Sequence, residues 1–302
     1  MNSLISEARN NFHRSLIENN TLCFSKFNKF GETKIASNAD SGQKSSVLLS
    51  NLLLTEIAKN LSIELPVNEK KKDGQTTGND FEAACGLFLK STFPYLQNLR
   101  PGKWEVLQIH QRNESVLGKF EQYSHLYELS TLAQENKVLR NFLGDGYTIA
   151  PDVIISRNAE PDDFINKNIA VIDDSVCKNT MLRLKNHEES QIKPLLHASI
   201  SCKFTMRSDR AQNTRTEALN LIRTRKGRTP HIVAVTAEPT SSRLASLALG
   251  TGDMDHIYHF ALYELLECYK YLENDEALDL LNTMIDGKRL RDISDLPLDL
   301  SI

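Results

Sequence analysis

Two short runs in this 302-residue chain carry residue types that can act together on a phosphate ester, Pro151-Asp152 and Ser201-Cys202-Lys203. Hydrolysing a phosphodiester calls for divalent cations that offset charge in a phosphorane-like transition state and lower the pKa of the attacking water. Hard oxygen ligands suit Mg²⁺ in that task. Converging carboxylates supply such ligands, and a lysine beside them orients the water, helps deprotonate it or stabilises developing negative charge. The second run lacks one expected acid. Ser201 lies two before Lys203, on the same face of a strand, where a carboxylate would serve the metal. Glu217, fourteen residues past Lys203 and near the start of the next expected helix, is placed to point back at the same spot. A Pro-Asp with a distant lysine also arises by chance, so the surroundings decide the reading.

Those surroundings read as strands and helices in an order that can bring the runs together. Residues 147 to 156 have the β-branched density of a strand, with Pro151 marking an irregular or edge position. From Leu195 to Thr205, Ile200, Cys202 and Phe204 alternate with Ser201, Lys203 and Thr205, which predicts a half-buried strand. Ala218, Leu219, Leu221 and Ile222 recur near helical spacing, and Gly227 with Pro230 ends that helix. His231 to Ala237 is a continuous apolar run, the mark of a central strand buried on both faces.

Further helices frame this centre. Leu4, Ala8, Phe12 and Leu16 form one stripe over residues 2 to 20, and Leu49, Leu53 and Ile57 form another over Val47 to Leu61. Both stripes serve packing or subunit contact. The polar residues 21 to 46 between them read as a loop or arm. After the basic, Gly- and Thr-bearing residues 65 to 79, Phe81, Ala84, Cys85 and Phe88 share a helical face, with Glu82 just inside that helix. A second polar and helical stretch precedes the first strand, and residues 256 to 284 read as one long amphipathic helix. Strands alternating with helices make an α/β sandwich the natural architecture.

Composition sets the partners. With 40% apolar and 25% charged residues the chain can bury a substantial core, and one large domain over 1–302 is expected. Its parts are N-terminal helices and an arm (1–64), a core (65–255) and a C-terminal helical segment (256–302). The net charge of −3 looks unfavourable for a polyanionic partner, yet Lys203 to Arg228 holds eight basic residues against two acids. A solvated helix face explains the same run when it is taken alone. Five scattered cysteines with no Cys-x-x-Cys pair indicate neither a disulfide framework nor a thiolate zinc site, which fits a reducing cytoplasm. No stretch approaches a membrane span and the first residues have no apolar leader region, so no membrane association is expected.

Longer matches carry a resemblance. Ser37-Asn-Ala-Asp40, Gly74-Gln-Thr-Thr-Gly-Asn-Asp-Phe-Glu82, Thr148-Ile-Ala-Pro-Asp152, His197-Ala-Ser-Ile-Ser-Cys-Lys203, Arg207-Ser-Asp-Arg-Ala-Gln-Asn213, Thr236-Ala-Glu-Pro-Thr240 and Asp292-Ile-Ser-Asp-Leu-Pro-Leu-Asp-Leu300 run nearly end to end. Together they resemble the CCGG-recognising restriction endonucleases of the PD-(D/E)xK superfamily. The resemblance implies a restriction-endonuclease-like α/β fold, a central mixed β-sheet flanked by helices. It also implies that the missing strand acid is displaced onto the following helix, as Glu217. Asp152 would then bridge two Mg²⁺ ions, the Cys202 backbone carbonyl would ligate one, Lys203 would act on the water, and Glu82 would hold a metal-bound water. The Cys202 side chain, on the apolar face, belongs to the core.

Base reading follows the same pattern. Arginine donates bidentately to guanine O6 and N7, and aspartate accepts from cytosine N4, so Arg207-Ser208-Asp209-Arg210 suits G·C pairs. An ion pair at a helix start, with Ser208 or Asp209 as N-cap, also explains the tetrapeptide. The resemblance assigns it to the central CCGG, with Gln75 in the minor groove, Arg243 on the outer guanine and Asp40 on the outer cytosine. Ser41-Gly42 stands where a family member has Gly-Ser, so the outer pair is the less firmly held. The expected target is GCCGGC, cut after the first G to leave a 5′-phosphate and a 5′-CCGG overhang.

A palindrome calls for a two-fold dimer, and the resemblance extends this to a dimer of dimers, with a DNA methyltransferase as host partner. Two alternatives are a non-catalytic DNA-binding protein and a structure-specific nuclease of the same fold. The first would lack an acid or the lysine, and the second would have no need of Arg207, Asp209 and Arg210. His256, His259, Gly250 and Gly252 read as packing or turns.

Overall fold

The computed structural model describes residues 3–70, 72–109, 116–138, 141, 151–184, 193–250 and 252–302. Helix α1 (Leu4–Glu18) starts where Ser3 accepts a hydrogen bond from the Ser6 N–H, and it buries Ala8, Phe12 and Leu16. Strands β1 (Phe24–Lys29) and β2 (Glu32–Ala36) follow as an antiparallel hairpin, then α2 (Lys44–Leu61) and the short β3 (Val67–Asn68) beside β1. The expected arm is thus partly a small sheet. Only Phe24, Ser25, Ile35 and Ala36 of the hairpin are deeply buried, too few to show as alternation.

Helix α3 (Gly74–Lys90) begins at Asp73, whose carboxylate accepts from the Gln75 and Thr76 N–H groups. Its face of Phe81, Ala84, Cys85 and Phe88 is buried as expected, and it packs on α1 and on the central sheet. The Phe81 ring stands edge-on to Phe12 at 6.2 Å and to Phe204 at 5.5 Å. Such pairs add ~0.5–1.5 kcal/mol each beyond burial.

Next come β4 (Trp104–Gln108), α4 (Ser124–Glu135), β5 (Val153–Arg157) and a separate pair, β6 (Glu160–Pro161) with β7 (Arg183–Leu184). Then follow β8 (Leu195–Lys203), α5 (Ser208–Thr224), β9 (His231–Thr236), α6 (Ser241–Ala248), β10 (His256–His259), α7 (Leu262–Tyr271), α8 (Asp275–Asp286) and β11 (Leu290–Asp292). The central sheet has the order β11-β10-β9-β8-β5-β4. Strands β8 to β11 run parallel, while β5 is antiparallel to both β8 and β4. The result is a mixed sheet flanked by helices.

Four expectations are corrected. Strand β4 falls in a stretch read as polar and helical. Strand β5 begins just after Pro151 and is no edge strand, since β4 and β8 bond both its sides; the part of that expected strand at 147–150 lies outside the described residues. Strand β8 is buried from Leu196 to Cys202 on both faces, not one. One of its polar residues has partners in place of water: the His197 ring packs 4.8 Å from Trp104 and 4.9 Å from His231, and its Nε2 lies 2.7 Å from the Leu300 carbonyl oxygen.

Finally, the long helix expected over 256–284 is a strand and two helices. His256–His259 extends the parallel sheet beside β9. Glu273 takes a left-handed φ of 50°, and the Asn274 side chain then caps α8 by accepting from the Ala277 N–H. The apolar faces of α1, α7 and α8 are consumed within the monomer, where Phe12, Leu265, Leu281 and Met284 join one core. These faces are therefore not free for subunit contacts. Arg9 of α1 holds this packing by a bidentate pair with Glu264 and a second pair with Asp292.

Candidate active site

The β5–β8 register pairs Val153 with Ile200, so Asp152 arrives opposite the end of β8. Its N–H donates to the Ile200 carbonyl at 3.2 Å, and its own carbonyl accepts from Ile109 N–H at 2.9 Å. The backbone of this acid is thus fixed on two sides. Its Oδ2 accepts from the Cys202 N–H at 2.6 Å and from Lys203 Nζ at 2.8 Å. Burial alone would pull the Lys203 ammonium down, but the Asp152 charge and hydrogen bond, with the charge of Glu217, leave it above the ordinary lysine value. The lysine is therefore a cation at neutral pH, suited to donating hydrogen bonds and offsetting negative charge.

Lys203 opens into a cleft of about 330 Å³ whose walls include Gln75, Glu82, Cys202, Asp209, Arg210, Asn213 and Glu217. Glu82 and Glu217 both enter from the middle of their helices, not from near the ends as expected. Asp73 starts α3 well before Glu82, and α5 begins at Ser208. Both acids are half-buried. Burial and the neighbouring Cys85 thiol push the Cys202 thiol up, so its side chain is a neutral part of the core.

Among the described residues no three His, Cys, Asp or Glu side chains stand close enough together to hold a metal ion. The donor chemistry still fits a hard cation. Asp152, Glu82, Glu217 and backbone carbonyls are oxygen donors, and Lys203 supplies positive charge to Asp152 in the same place.

The segment expected to read bases, Arg207 to Arg210, follows shortly after the end of β8. Arg207 occupies the N-cap position of α5 with no side-chain cap bond, so neither Ser208 nor Asp209 caps the helix. Arg207, Ser208 and Asp209 are exposed. Arg210 is half-buried, its guanidinium donating to Thr205 Oγ1 at 2.8 Å. Gln75 is exposed at the start of α3 and lines the same cleft.

Arg243 and Asp40, expected at the outer base pair, meet directly at 2.5 Å. The Arg243 hydrogen bond is the main force holding the Asp40 carboxyl below its usual value, assisted by the Gly42 N–H and opposed by burial, with the Arg207 charge also nearby. For Arg243, burial works downward, and Asp40 with Glu238 raise the guanidinium above its ordinary value.

Three contributors escaped the sequence reading: Thr205, Asn213 and Glu238. Glu238 is fully buried, and its Oε2 accepts from the Met206 N–H at 2.9 Å. An acid directly after the apolar run of β9 was the available signal.

The chain is 47% identical to the type II restriction enzyme NgoMIV of Neisseria gonorrhoeae over 304 residues, covering all of both chains. Among solved structures it aligns with Bse634I restriction endonuclease at a TM-score of 0.36 and 12% identity, over 88% of this chain and 97% of that one. A Bse634I structure with cognate DNA aligns at 0.34 and 13%, over 84% and 97%. The family model for the NgoMIV restriction enzyme matches residues 12–302, and the chain belongs to that family.

Proposed function

We propose that this chain, a type II restriction endonuclease by family, hydrolyses one phosphodiester in each strand of duplex DNA at GCCGGC in a Mg²⁺-dependent reaction. The cut falls after the first G and leaves 5′-phosphates on 5′-CCGG overhangs. The observation that carries this reading is the shared cleft. Lys203, Glu82 and Glu217 line it together with Gln75, Asp209 and Arg210. Groups able to work on a phosphate and groups able to read G·C edges thus face one space. A structure-specific nuclease would have no use for that combination, and a non-catalytic binder no use for the Lys203–Asp152 pair.

Asp152, Glu217 and the Cys202 carbonyl would hold two Mg²⁺ ions, and Glu82 a water bound to one of them. Bound there, Mg²⁺ supplies charge for the phosphorane-like transition state and a more acidic water. The chain's own residues do the rest. Lys203, as an ammonium, donates to the attacking water or to a non-bridging phosphate oxygen, while Glu82 and Glu217 orient that water. The water oxygen bonds phosphorus as the bond to O3′ breaks; the proton that the attacking water loses passes to solvent, and the departing O3′ takes one from solvent to become a hydroxyl. Arg207 and Arg210 would donate to the inner guanines, Asp209 would accept from cytosine, and Ser208 lies exposed between them. Gln75 would sense the minor groove, and Arg243 with Asp40 the outer pair.

We further read the chain as one domain acting in a two-fold dimer, two dimers engaging two DNA copies, with a host methyltransferase protecting the same sequence. The test uses end-labelled duplexes carrying GCCGGC or a scrambled site, with Mg²⁺ or with EDTA. Discrete cleavage of the first duplex in Mg²⁺ alone supports the reading, and cleavage of both or neither refutes it.

A further inference from the structure

At the end of β9 the chain turns through Thr236-Ala-Glu-Pro-Thr240, and this turn bonds to Arg243 and to residues beside Arg207 and Asp40. The Glu238 side chain is the centre of it. Its Oε2 accepts from Met206 N–H at 2.9 Å, one residue before Arg207, and lies 3.5 Å from an Arg243 guanidinium nitrogen. Its Oε1 accepts from the Thr240 hydroxyl at 2.5 Å and the Thr240 N–H at 3.2 Å. Next to it, the Ala237 carbonyl accepts from Asn38 Nδ2 at 2.9 Å, two residues before Asp40. Asp40 in turn holds the same guanidinium as Glu238.

We propose that Glu238 is a positioning residue that ties the Arg207–Arg210 segment and Arg243 to one buried carboxylate, so that outer-pair preference depends on a side chain that touches no DNA. The inference rests on the proposed outer-pair reading by Arg243. Glu238 is fully buried, which keeps it from the duplex. A buried carboxylate persists only when it is hydrogen-bonded and paired, and here the partners are Arg243 itself, Met206 next to Arg207, and Thr240 three residues before Arg243. The guanidinium is a planar fork, and two acids at different edges fix its plane. With Glu238 absent, Asp40 alone would hold Arg243, and the fork could rotate away from the outer guanine.

The experiment measures binding to four duplexes that share CCGG and differ in the symmetric outer pair, at one salt concentration without added metal. The proteins are the wild type, Glu238→Gln, Arg243→Ala and the double variant, each first checked by thermal unfolding. Glutamine keeps the volume but cannot accept at both ends, so one of the Met206 or Thr240 contacts must yield. The wild type should prefer GCCGGC, and Glu238→Gln should lose about tenfold of that preference, about 1.4 kcal/mol. In the Arg243→Ala background the same change should remove no further preference. A loosened fold would instead weaken all four duplexes equally in both backgrounds.

Should Glu238→Gln not fold, Thr240→Val removes one of the two hydrogen bonds at Oε1, at a half-buried position, and should lower the preference about threefold. Unchanged preference in the folded variant overturns the role of Glu238 while leaving the outer-pair reading intact. A wild type indifferent to the outer pair overturns both. A wild type preferring another outer pair overturns only GCCGGC, and the variant still tests Glu238 against that preference.

Discussion

Lys203 Nζ donates to Asp152 Oδ2 at 2.8 Å across two antiparallel strands, joining residues 51 apart in sequence beside the cleft that Lys203 lines. The same Asp152 oxygen accepts from the Cys202 N–H, so the β8 backbone and its last side chain converge on one carboxylate. Raised above its usual value by that pairing, Lys203 stays charged through neutral pH. In the proposed reaction it would serve as a donor toward negative charge and not as a base.

Lys203→Ala should therefore lower single-turnover cleavage by at least ~10²-fold, the scale for losing one well-placed donor, with binding to GCCGGC duplex kept within a few-fold. Cleavage within tenfold of wild type would remove Lys203 from the chemistry. Over pH 6 to 9, the wild-type rate should show no inflection that Lys203→Arg abolishes.

Ser201 and Glu217 separate two versions of the site. The Ser201 hydroxyl is buried with no hydrogen-bond partner among the described residues. Ser201→Ala should leave cleavage intact and shift stability by less than ~1 kcal/mol. Glu217→Gln should lower cleavage ~10²-fold or more. Loss of activity in Ser201→Ala, with Glu217→Gln active, would return the missing acid's role to the strand.

The Arg210 guanidinium is held by Thr205, and the proposed function gives it the inner guanine. Arg210→Ala should reduce discrimination against a changed inner pair by ~1–3 kcal/mol. Competition binding with an inner-pair variant duplex measures this. An equal loss of affinity for every duplex would make Arg210 a phosphate contact.

Acid stability reports the packing of α1. Burial opposes the Glu264 charge, but the Arg9 hydrogen bonds and charge win and hold its pKa at about 2, from 4.5 unperturbed. That contribution is complete above the unfolded value and is lost as pH falls through the folded one. Burial also lowers His197 to about 3 and His259 to about 4 from 6.5, so both fold as neutral rings. Their contribution begins to fade below 6.5. Denaturant unfolding should show stability falling from about pH 6.5 downward and continuing toward pH 2. Arg9→Met leaves two buried acids without their partner and should cost ~3–5 kcal/mol at pH 7. A variant as stable as wild type would contradict this account of the packing.

The sequence made the catalytic strands legible because their patterns were strong. The apolar run of β9 and the alternation of β8 located Lys203, and a clear helical stripe located α3 and hence Glu82. Strand β4 was not legible, since Val106 alone among its five residues is deeply buried. His256–His259 was too short and apolar to distinguish from a helix start, and only Glu273 and Asn274 mark the later break. Spacing past Lys203 singled out Glu217, and the resemblance gave it the task of the displaced acid. The Arg243–Asp40 pair spans 203 residues, and no local pattern reports such a contact. Glu238 stood inside a matched motif with no assigned task, because burial and partners are properties of the fold.

The most direct measurement maps both cut positions, at nucleotide resolution, on one long duplex holding a single GCCGGC and a single GCTAGC, with Mg²⁺. The account predicts staggered cuts after the first G of each strand at GCCGGC, 5′-phosphate ends, and an intact GCTAGC. Cuts at both sites, blunt ends, or no cleavage by a folded protein that binds the duplex would contradict it.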